Sequence, residues 1–327
     1  MHRVAIMVLA AAGCAIHVDS VADTTAGVAA AVEDHCASPP VGQAGKFRHA
    51  STRIVSALGD PRHRGTDLIA LETDENQTLG GKLAYTAADK DAKRERVELF
   101  ACVNADWKLL GTTVTDGGGR FELALSGTER LPAGMRDLYG HVPADGSGFR
   151  FLAYVAKPGE SVIVTDIDGT ITASENAVFN TLLFGEDIGH RRDAPQAFAA
   201  SGRVVVYVSS RGDQLTGLTR TWLRQHGFPP GPIRHARSAV TLPGKRTIAF
   251  KADVLRGLPV PIHAAIGNRA TDVAAYRDVG VAPDRTFVKL SRDRSRGSDF
   301  GRELADELAA SRAIGFTDYA TIAPRLR

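Results

Sequence analysis

Long apolar runs are missing from this sequence. The apolar stretch at the amino terminus, Val4 to Ile16, is too short to cross a bilayer as a permanent helix. Because His2 and Arg3 precede it, the stretch has the layout of a secretory signal. We therefore predict an exported protein, periplasmic or secreted, with residues 1–20 as its leader.

Cysteine is scarce, with 3 residues in 327. Cys14 follows a Leu-Ala-Ala-Ala-Gly run that is typical of a lipoprotein processing site, so lipid anchoring there and ordinary cleavage between Ala12 and Ala29 both remain open. After the leader, Cys36 and Cys102 are left, and an exported protein can join such a pair as a disulfide. The sequence does not give their separation, so paired and unpaired thiols are both compatible with it.

An excess of either charge is also missing. The sequence has 40 Lys and Arg residues against 37 Asp and Glu residues, for a formal net charge of +3. A balance this small, spread over both signs, does not indicate a nucleic-acid partner, and we expect none. Apolar residues make up 43% of the 327 residues, which is enough for two domains with packed cores.

The first part of the chain reads as a linker followed by a small all-β domain. Residues 21–65 lack sustained periodicity, apart from a short helix predicted near 46–58, and we interpret them as a linker or poorly ordered segment. The glycines of TDGGGR at 115–120 predict a hairpin turn. Residues 66–157 are predicted to form a small antiparallel β-sandwich, whose strand-like runs are DLIALET, GKLAY, RVELFACV, KLLGTTV, RFELAL and GFRFLAYV.

Residues 158–327 have the pattern of an α/β domain. The predicted strands are 161–166, 203–209, 262–267 and 286–290, and the predicted helices lie near 193–201, 214–226, 247–256, 271–279 and 299–312. This alternation predicts a Rossmann-like parallel sheet with helices on both faces. Ligands bind at the carboxyl ends of the strands in such sheets, and Asp166, Ser209 and Asn268 stand at those ends.

Two aspartates follow the first of these strands. Asp166 and Asp168 come directly after the apolar run Val162 to Val164. Burial raises the cost of two like charges so close together, so we expect a cation between them. An EF-hand calcium loop fits poorly, because the glycine is fourth in the loop and Ala177 stands where the last glutamate ligand would be. A solvated acidic turn also fits poorly, because an apolar strand leads into the pair.

Three separated segments carry a family resemblance, and they are DIDGTIT, YVSSRG with TWLRQHGFPPG, and IHAAIGNRATDVAAYRDVGV. Over roughly 158–312 the chain resembles the haloacid dehalogenase-type phosphatases. Within them it is most similar to the lipin group and to the carboxy-terminal domain of phosphatidylinositol-transfer proteins. The resemblance implies a haloacid dehalogenase-like fold, a Mg²⁺-dependent phosphatase, and a sandwich resembling the immunoglobulin-like partner of the lipin catalytic half.

The resemblance gives roles to the aspartate pair and the residues after it. Asp166 would attack phosphorus, form an aspartyl phosphate and lend an oxygen to Mg²⁺, which neutralises the phosphoryl charge. Asp168 would protonate the leaving alkoxide and then activate water. The predicted metal ligands are Asp166, Asp168 and Asp272. Gly169 would let the backbone approach the substrate, and Thr170 would hold the loop.

Further side chains complete the predicted site. Ser209, with Ser210 behind it, would donate hydrogen bonds to the phosphoryl oxygens, although a serine after a strand is often only a turn former. Lys251 lies beside the inward stripe of its helix and is preferred to Lys245 as the stabilising cation. The alternative for Lys251 is a side chain that snorkels past the core.

The last predicted residues carry weaker signals. Asp272 would hold Mg²⁺ directly or through water, or would merely cap its helix. Asn268 stands where many relatives carry another acid, which lowers the expected metal affinity. Arg211 and Arg269 would bind a second anionic group of the substrate or be solvated. The basic cluster at 289–297 would meet anionic lipid or form a solvated loop.

Three functions are compatible with these residues. The first is a Mg²⁺-dependent phosphatase of a lipid phosphate such as phosphatidic acid, with peripheral membrane contact. The second is a catalytically inactive module that binds phosphatidic acid or a phosphoinositide, although the related transfer-protein domain generally lacks the attacking aspartate that is retained here. The third is a phosphatase of soluble phosphomonoesters. The short segment between Thr170 and the strand at 203 predicts an open site, which suits a substrate presented at a membrane.

Overall fold

The computed structural model describes residues 32, 35–40, 42, 44–173, 189–237, 244–290 and 299–327. Within them a β-sandwich precedes a mixed α/β domain that is built on a parallel sheet. The predicted leader at 1–20 lies outside the described residues, as do 174–188 and 291–298, and the last of these ranges includes most of the basic cluster at 289–297.

Ten strands precede the parallel sheet in the described part of the chain. They are β1 (Arg64–Thr66), β2 (Leu68–Leu71), β3 (Asn76–Lys82), β4 (Ala84–Tyr85), β5 (Lys90–Asp91), β6 (Arg96–Val103), β7 (Asp106–Val114), β8 (Arg120–Ser126), β9 (Gly134–Val142) and β10 (Ser147–Ala156). A five-stranded sheet has the order β2-β10-β9-β6-β7, and a three-stranded sheet has the order β1-β3-β8. The strands β4 and β5 form a separate two-stranded ribbon.

Alternating apolar residues explain why these two sheets pack together. Along β6, Val97, Leu99 and Ala101 are fully buried, while Glu98 between them is partly exposed. Successive side chains of a strand point to opposite faces, so one face of β6 contributes all three residues to the core. Phe121 of β8 joins the same apolar cluster from the other sheet.

The strand pairing differs from the antiparallel prediction. Strand β2 pairs with β10 in parallel, because the chain leaves the smaller sheet after β1, crosses at Asp67 and enters the larger sheet beside β10. The predicted TDGGGR turn is present, with Gly119 at φ 72°. However, it joins β7 to β8, which lie in different sheets, so it does not close a hairpin. Alternation in a sequence identifies strands but not their partners.

Strand β9 was not predicted. Its sequence carries Arg136 and Asp137, yet both are buried, at 2% and 8% exposure, because β9 lies between β10 and β6. Arg136 donates to the carbonyls of Pro132 and Ala133, and Asp137 accepts from Arg150 over 3.0 Å. Polar groups that find such partners can be buried, and they conceal the strand from a search for apolar runs.

Six parallel strands form the sheet of the second domain, in the order β13-β12-β11-β14-β15-β16. They are β11 (Val162–Asp166), β12 (Val205–Gly212), β13 (Ile233–Ala236), β14 (Ile262–Gly267), β15 (Thr286–Lys289) and β16 (Ile314–Phe316). The described helices are α1 (Ala50–Ser56), α2 (Ala194–Ala199), α3 (Thr216–Gln225), α4 (Lys245–Arg256), α5 (Ala270–Asp278), α6 (Asp299–Ser311) and α7 (Tyr319–Ile322). The four predicted parallel strands are confirmed. Strand β13 was missed because Arg234 and His235 interrupt its apolar run, and β16 was missed because it has only 3 residues.

Helices cover both faces of the parallel sheet, but one face is shared with the sandwich. On one side Ile163 packs with Phe198 of α2 and Trp222 of α3. On the other side Val164 belongs to a cluster with helix residues of α4 and α5 and with Tyr154 of β10. The two domains therefore share an apolar core.

Part of the predicted linker is ordered against the sandwich. Cys36 and Cys102 form a disulfide with a Cα–Cα distance of 5.7 Å, which answers the question that the sequence left open. Helix α1 is shorter than the predicted 46–58, and the hydroxyl of Thr52 donates to the carbonyl of Lys93 over 3.0 Å. These contacts order residues whose composition alone indicates a linker.

Candidate active site

Asp166, the last residue of β11, is the centre of the candidate site. It is 5% exposed. The hydroxyl of Thr170 donates a hydrogen bond to its Oδ2 over 2.9 Å, and its Oδ1 contacts Nζ of Lys251. Thr170 therefore ties the loop that follows the strand directly to the predicted nucleophile.

Lys251 lies between two buried carboxylates. It projects from α4, is 4% exposed, and its Nζ contacts Oδ1 of both Asp166 and Asp272. Lys245, the other candidate, is exposed at the first residue of the same helix. Lys251 is therefore the lysine that the fold brings to the aspartates.

Asp272 caps its helix, which is one of the two roles that the sequence left open, and it also contacts Lys251. Its Oδ2 accepts hydrogen bonds from the backbone N–H groups of Asn268 and Arg269, over 2.9 and 3.0 Å, and so caps α5. Its Oδ1 faces Lys251. A Cβ at Gly267 would lie 2.6 Å from Oδ2 of Asp272, so this close approach requires glycine at the end of β14.

Asp168 is bound by a different pair of side chains. The Ser209 hydroxyl donates to its Oδ2 over 2.7 Å, and Nε of Arg211 donates to its Oδ1 over 2.8 Å. Both donors come from β12, which continues beyond the predicted end at 209 as far as Gly212. Ser210 lies between them and is half-buried, whereas Arg269 on the neighbouring loop is exposed.

The loop after β11 depends on its own hydrogen bonds. Gly169 adopts φ 79°, where a side chain would be strained, and its N–H donates to Oγ1 of Thr172 over 2.8 Å. The hydroxyl of Tyr319 donates to the carbonyl of Thr170 over 3.1 Å. Neither Thr172 nor Tyr319 was predicted from the sequence to belong to the site. Thr172 lies inside the DIDGTIT motif and could have been found, but Tyr319 comes from α7 and no local pattern indicates its contact.

Three carboxylates face two cationic groups in this cluster. Burial raises the pKa of Asp166 to about 7, against the effect of Lys251 and with the help of Asp272 and Asp168. Burial alone would lower the pKa of Lys251, but Asp166 and Asp272 raise it above its ordinary value. Lys251 therefore stays protonated. When all three carboxylates are ionised, the cluster has a net negative charge.

The donor set fits Mg²⁺. This ion is typically bound by one or two carboxylates and keeps several waters, and Asp166 and Asp272 offer two carboxylates, whose Oδ1 atoms both contact Nζ of Lys251. Oδ1 of Asn268 is buried at the same strand end and has no hydrogen-bond partner among the described residues. In the described ranges no group of three or more His, Cys, Asp or Glu side chains could hold a metal. The side chain of Asp168 is engaged by Ser209 and Arg211, so it lies beside this set and not within it.

Ion pairs join the sandwich to the elements that follow β12. Asp213 accepts a hydrogen bond from Arg64 over 2.7 Å and pairs with Arg120 at 3.5 Å. Asp67, whose side chain is 0% exposed, pairs with Arg220 of α3 at 2.6 Å. These contacts hold the sandwich against the edge of the parallel sheet next to the site.

Two family models match this chain. The PITM 1-3 β-sandwich domain matches residues 61–155, and the PITM 1-3 LNS2 domain matches residues 163–289. LNS2 domains are haloacid dehalogenase-like and related to lipins. The resemblance inferred from the sequence is therefore supported at the level of the superfamily.

Known relatives match across both domains. Membrane-associated phosphatidylinositol transfer protein 1 of Rattus norvegicus is 25% identical over 250 residues, which is 74% of this chain and 20% of the rat protein. Protein retinal degeneration B of Drosophila melanogaster is 27% identical over 263 residues, which is 77% of this chain and 20% of the fly protein. Membrane-associated phosphatidylinositol transfer protein 3 of Homo sapiens is 25% identical over 262 residues, 78% of this chain and 26% of the human protein. The chain thus spans about a fifth to a quarter of the length of these relatives.

The predicted localisation is wrong. The sequence predicted an exported protein, periplasmic or secreted or anchored at Cys14, whereas the relatives are named as membrane-associated phosphatidylinositol transfer proteins. Among the described residues, no helix is both long and apolar enough to cross a membrane. These names are consistent with a lipid ligand and with peripheral membrane contact. In both of its domains the chain is similar to the β-sandwich and LNS2 domains of the PITM 1-3 family.

Proposed function

We propose that this chain is a Mg²⁺-dependent phosphatase that forms an aspartyl phosphate on Asp166 and acts on a lipid phosphate such as phosphatidic acid. Its α/β domain would be a haloacid dehalogenase-like catalytic domain. The observation that carries the proposal is the meeting of Asp166, Asp272 and Lys251 at one sheet edge, with Asp168 beside them. A carboxylate can attack an anionic phosphoryl group only where positive charge offsets the repulsion, and Lys251 supplies part of it.

The contacts of Asp168 indicate how a substrate would engage the site. Ser209 and Arg211 donate to Asp168, and both groups can equally donate to phosphoryl oxygens. An arriving phosphoryl group would compete for these donors. Asp168 would then be released from Ser209 and Arg211 to act on the leaving group as the general acid.

The chemical steps then follow from the positions of the two aspartates. Asp166 attacks phosphorus while the bond to the leaving alkoxide breaks, and Asp168 gives its proton to that alkoxide. Asp168 next takes a proton from water, which attacks the aspartyl phosphate, releases phosphate and restores Asp166. Thr170 and Lys251 hold Asp166 in place. Mg²⁺, held by Asp166 and Asp272 with Asn268 nearby, would supply positive charge to the phosphoryl oxygens.

The lipid part of the proposal is supported by the relatives. Their names describe membrane-associated phosphatidylinositol transfer proteins, and this chain matches them over both domains. A substrate presented by a membrane also agrees with peripheral membrane contact. Because the chain covers only 20% to 26% of those proteins, their activity is carried over here as a proposal.

A second candidate function is binding of phosphatidic acid or a phosphoinositide without turnover. It is favoured by the names of the relatives, which describe transfer and not hydrolysis. It is also favoured by Asn268, which supplies a neutral oxygen where an acid would bind metal more strongly. A third candidate, a phosphatase of soluble phosphomonoesters, would use the same catalytic residues.

Phosphate release separates these candidates. The substrates are phosphatidic acid in vesicles and a soluble aryl phosphate, each with Mg²⁺ or with EDTA. We expect Mg²⁺-dependent release by the wild type, and a loss of at least about 100-fold in Asp166→Asn. Asp253→Asn is the matched control, because that side chain is 76% exposed. Binding of phosphatidic acid without Asp166-dependent release would establish the second candidate, and release from the soluble ester alone would establish the third.

A further inference from the structure

A cavity between the two domains lies outside the candidate active site. It has a volume of about 200 Å³. Strands of the three-stranded sheet line it on one side, and β13 and the residue after it line it on the other. A single water occupies about 30 Å³ of liquid, so the cavity has room for a larger polar group.

Three arginines line this cavity, and they are Arg120, Arg234 and Arg237. A guanidinium group has five N–H donors. The Arg234 side chain makes one hydrogen bond with the described residues, which Nη1 donates to the carbonyl of Ile233 over 3.2 Å. The side chain of Arg237 has no hydrogen bond or ion pair with any described residue. Most of the guanidinium donors of Arg234 and Arg237 therefore have no partner among the residues that the structure describes.

The carboxylates on the cavity wall do not neutralise Arg234 or Arg237, whereas Arg120 pairs with Asp213, which lies outside the cavity lining. Asp67 pairs with Arg220 and also accepts hydrogen bonds from the backbone N–H groups of Leu152 and Ile233. Glu122 also lies on the wall, where it is exposed and would repel an anion. Burial lowers the pKa of Arg234, and Asp67 only partly opposes this effect. The cavity thus carries positive charge on the half-buried Arg234 and the exposed Arg237 that the described carboxylates leave incompletely compensated.

We propose that this cavity is a second anion-binding site that takes a phosphate group on Arg234, Arg237 and Arg120. Guanidinium groups suit phosphate because their paired N–H donors match its oxygens. Thr66 and Thr78 on the same wall can add hydroxyl donors. The phosphate can be free or belong to a lipid headgroup. The site does not depend on the phosphatase reaction, because it shares no residue with the Asp166 cluster.

Titration calorimetry with inorganic phosphate tests the site. The buffer contains EDTA, because without a metal ion the Asp166 cluster keeps its excess negative charge and repels phosphate. We expect binding by the wild type and by Asp166→Asn, and affinity at least about tenfold weaker for Arg237→Gln. Arg96→Gln is the matched control, because Arg96 is exposed on β6 in the other sheet, and it should bind like the wild type. Arg234→Gln should behave like Arg237→Gln. If Arg234→Gln does not fold, the Arg237→Gln variant still tests the proposal, because Arg237 is exposed and its replacement should not disturb folding.

Vesicle flotation distinguishes the two sources of phosphate. If a headgroup occupies the site, the wild type floats with vesicles of phosphatidylcholine and phosphatidic acid, inorganic phosphate competes, and Arg237→Gln floats less. If free phosphate occupies it, calorimetry shows Arg237-dependent binding and flotation does not depend on Arg237. Equal phosphate affinity in Arg237→Gln and Arg96→Gln, or no binding by the wild type, would overturn the proposal. Neither result bears on Asp166-dependent turnover, so the two proposals fail separately.

Discussion

Replacing Lys251 with methionine removes the cation that contacts both Asp166 and Asp272. The side chain of Lys251 is 5% exposed, that of Asp166 is 7% exposed and that of Asp272 is 0% exposed. Water therefore cannot replace the lost charge. Removing one partner of a buried ion pair costs about 3–5 kcal/mol, because the remaining charge stays buried and uncompensated. We expect the free energy of unfolding of Lys251→Met at pH 7, in metal-free buffer, to fall by about this amount. Urea denaturation would show a lower midpoint with an unchanged slope.

Lys245→Met is the control for this experiment. It makes the same substitution in the same helix, at an exposed residue, and should change stability by no more than about 0.5 kcal/mol. Adding Asp166→Asn to Lys251→Met should restore part of the loss, because one fewer carboxylate is then left without its partner. Equal urea midpoints for Lys251→Met and Lys245→Met would refute the buried cluster.

Further predictions concern pH and the contact between domains. Because the folded protein raises the pKa of Asp166 from 3.8 to about 7, metal-free wild type should lose stability relative to Asp166→Asn as pH rises from about 4 to 7. A pH-independent difference between their urea midpoints would contradict this. Burial lowers the pKa of His63 from 6.5 to about 4, so stability should fall as pH drops through that window, by at most about 1.4 kcal/mol per pH unit. His63→Gln should flatten the slope, and an unchanged slope would count against a buried neutral histidine. Asp67→Asn should lower the unfolding free energy by about 1–3 kcal/mol, by weakening its pairing with Arg220, while Asp106→Asn at an exposed position should have little effect.

Local pattern was sufficient to predict which of the candidate side chains lie close together. Apolar strands alternating with helices predicted the parallel sheet, and polar residues at the carboxyl ends of strands predicted the position of the candidate site. The structure does place Asp166, Ser209 and Asn268 at that edge, with Lys251 and Asp272 meeting Asp166. The proximity of these side chains could be predicted because the topology of a parallel sheet brings its strand ends to one side.

Contacts between distant parts of the chain could not be predicted in this way. Asp67 and Arg220 are 153 residues apart, and Tyr319 and Thr170 are 149 apart, so neither pair leaves a periodic signal. The buried charge of Arg136 concealed β9 for a related reason, since its partners are backbone carbonyls. The sharing of one sheet face between helices and sandwich also depends on docking of two domains, which a local pattern does not encode.

Formation of a beryllium fluoride adduct tests the central claim most directly, because the adduct mimics an aspartyl phosphate and needs no knowledge of the substrate. Fluorine NMR would be recorded on the wild type and on Asp166→Asn, each with and without Mg²⁺. A protein-bound resonance that requires both Mg²⁺ and Asp166 is the predicted result. Its absence from the wild type, or an equal resonance in Asp166→Asn, would contradict a nucleophilic carboxylate at the end of β11.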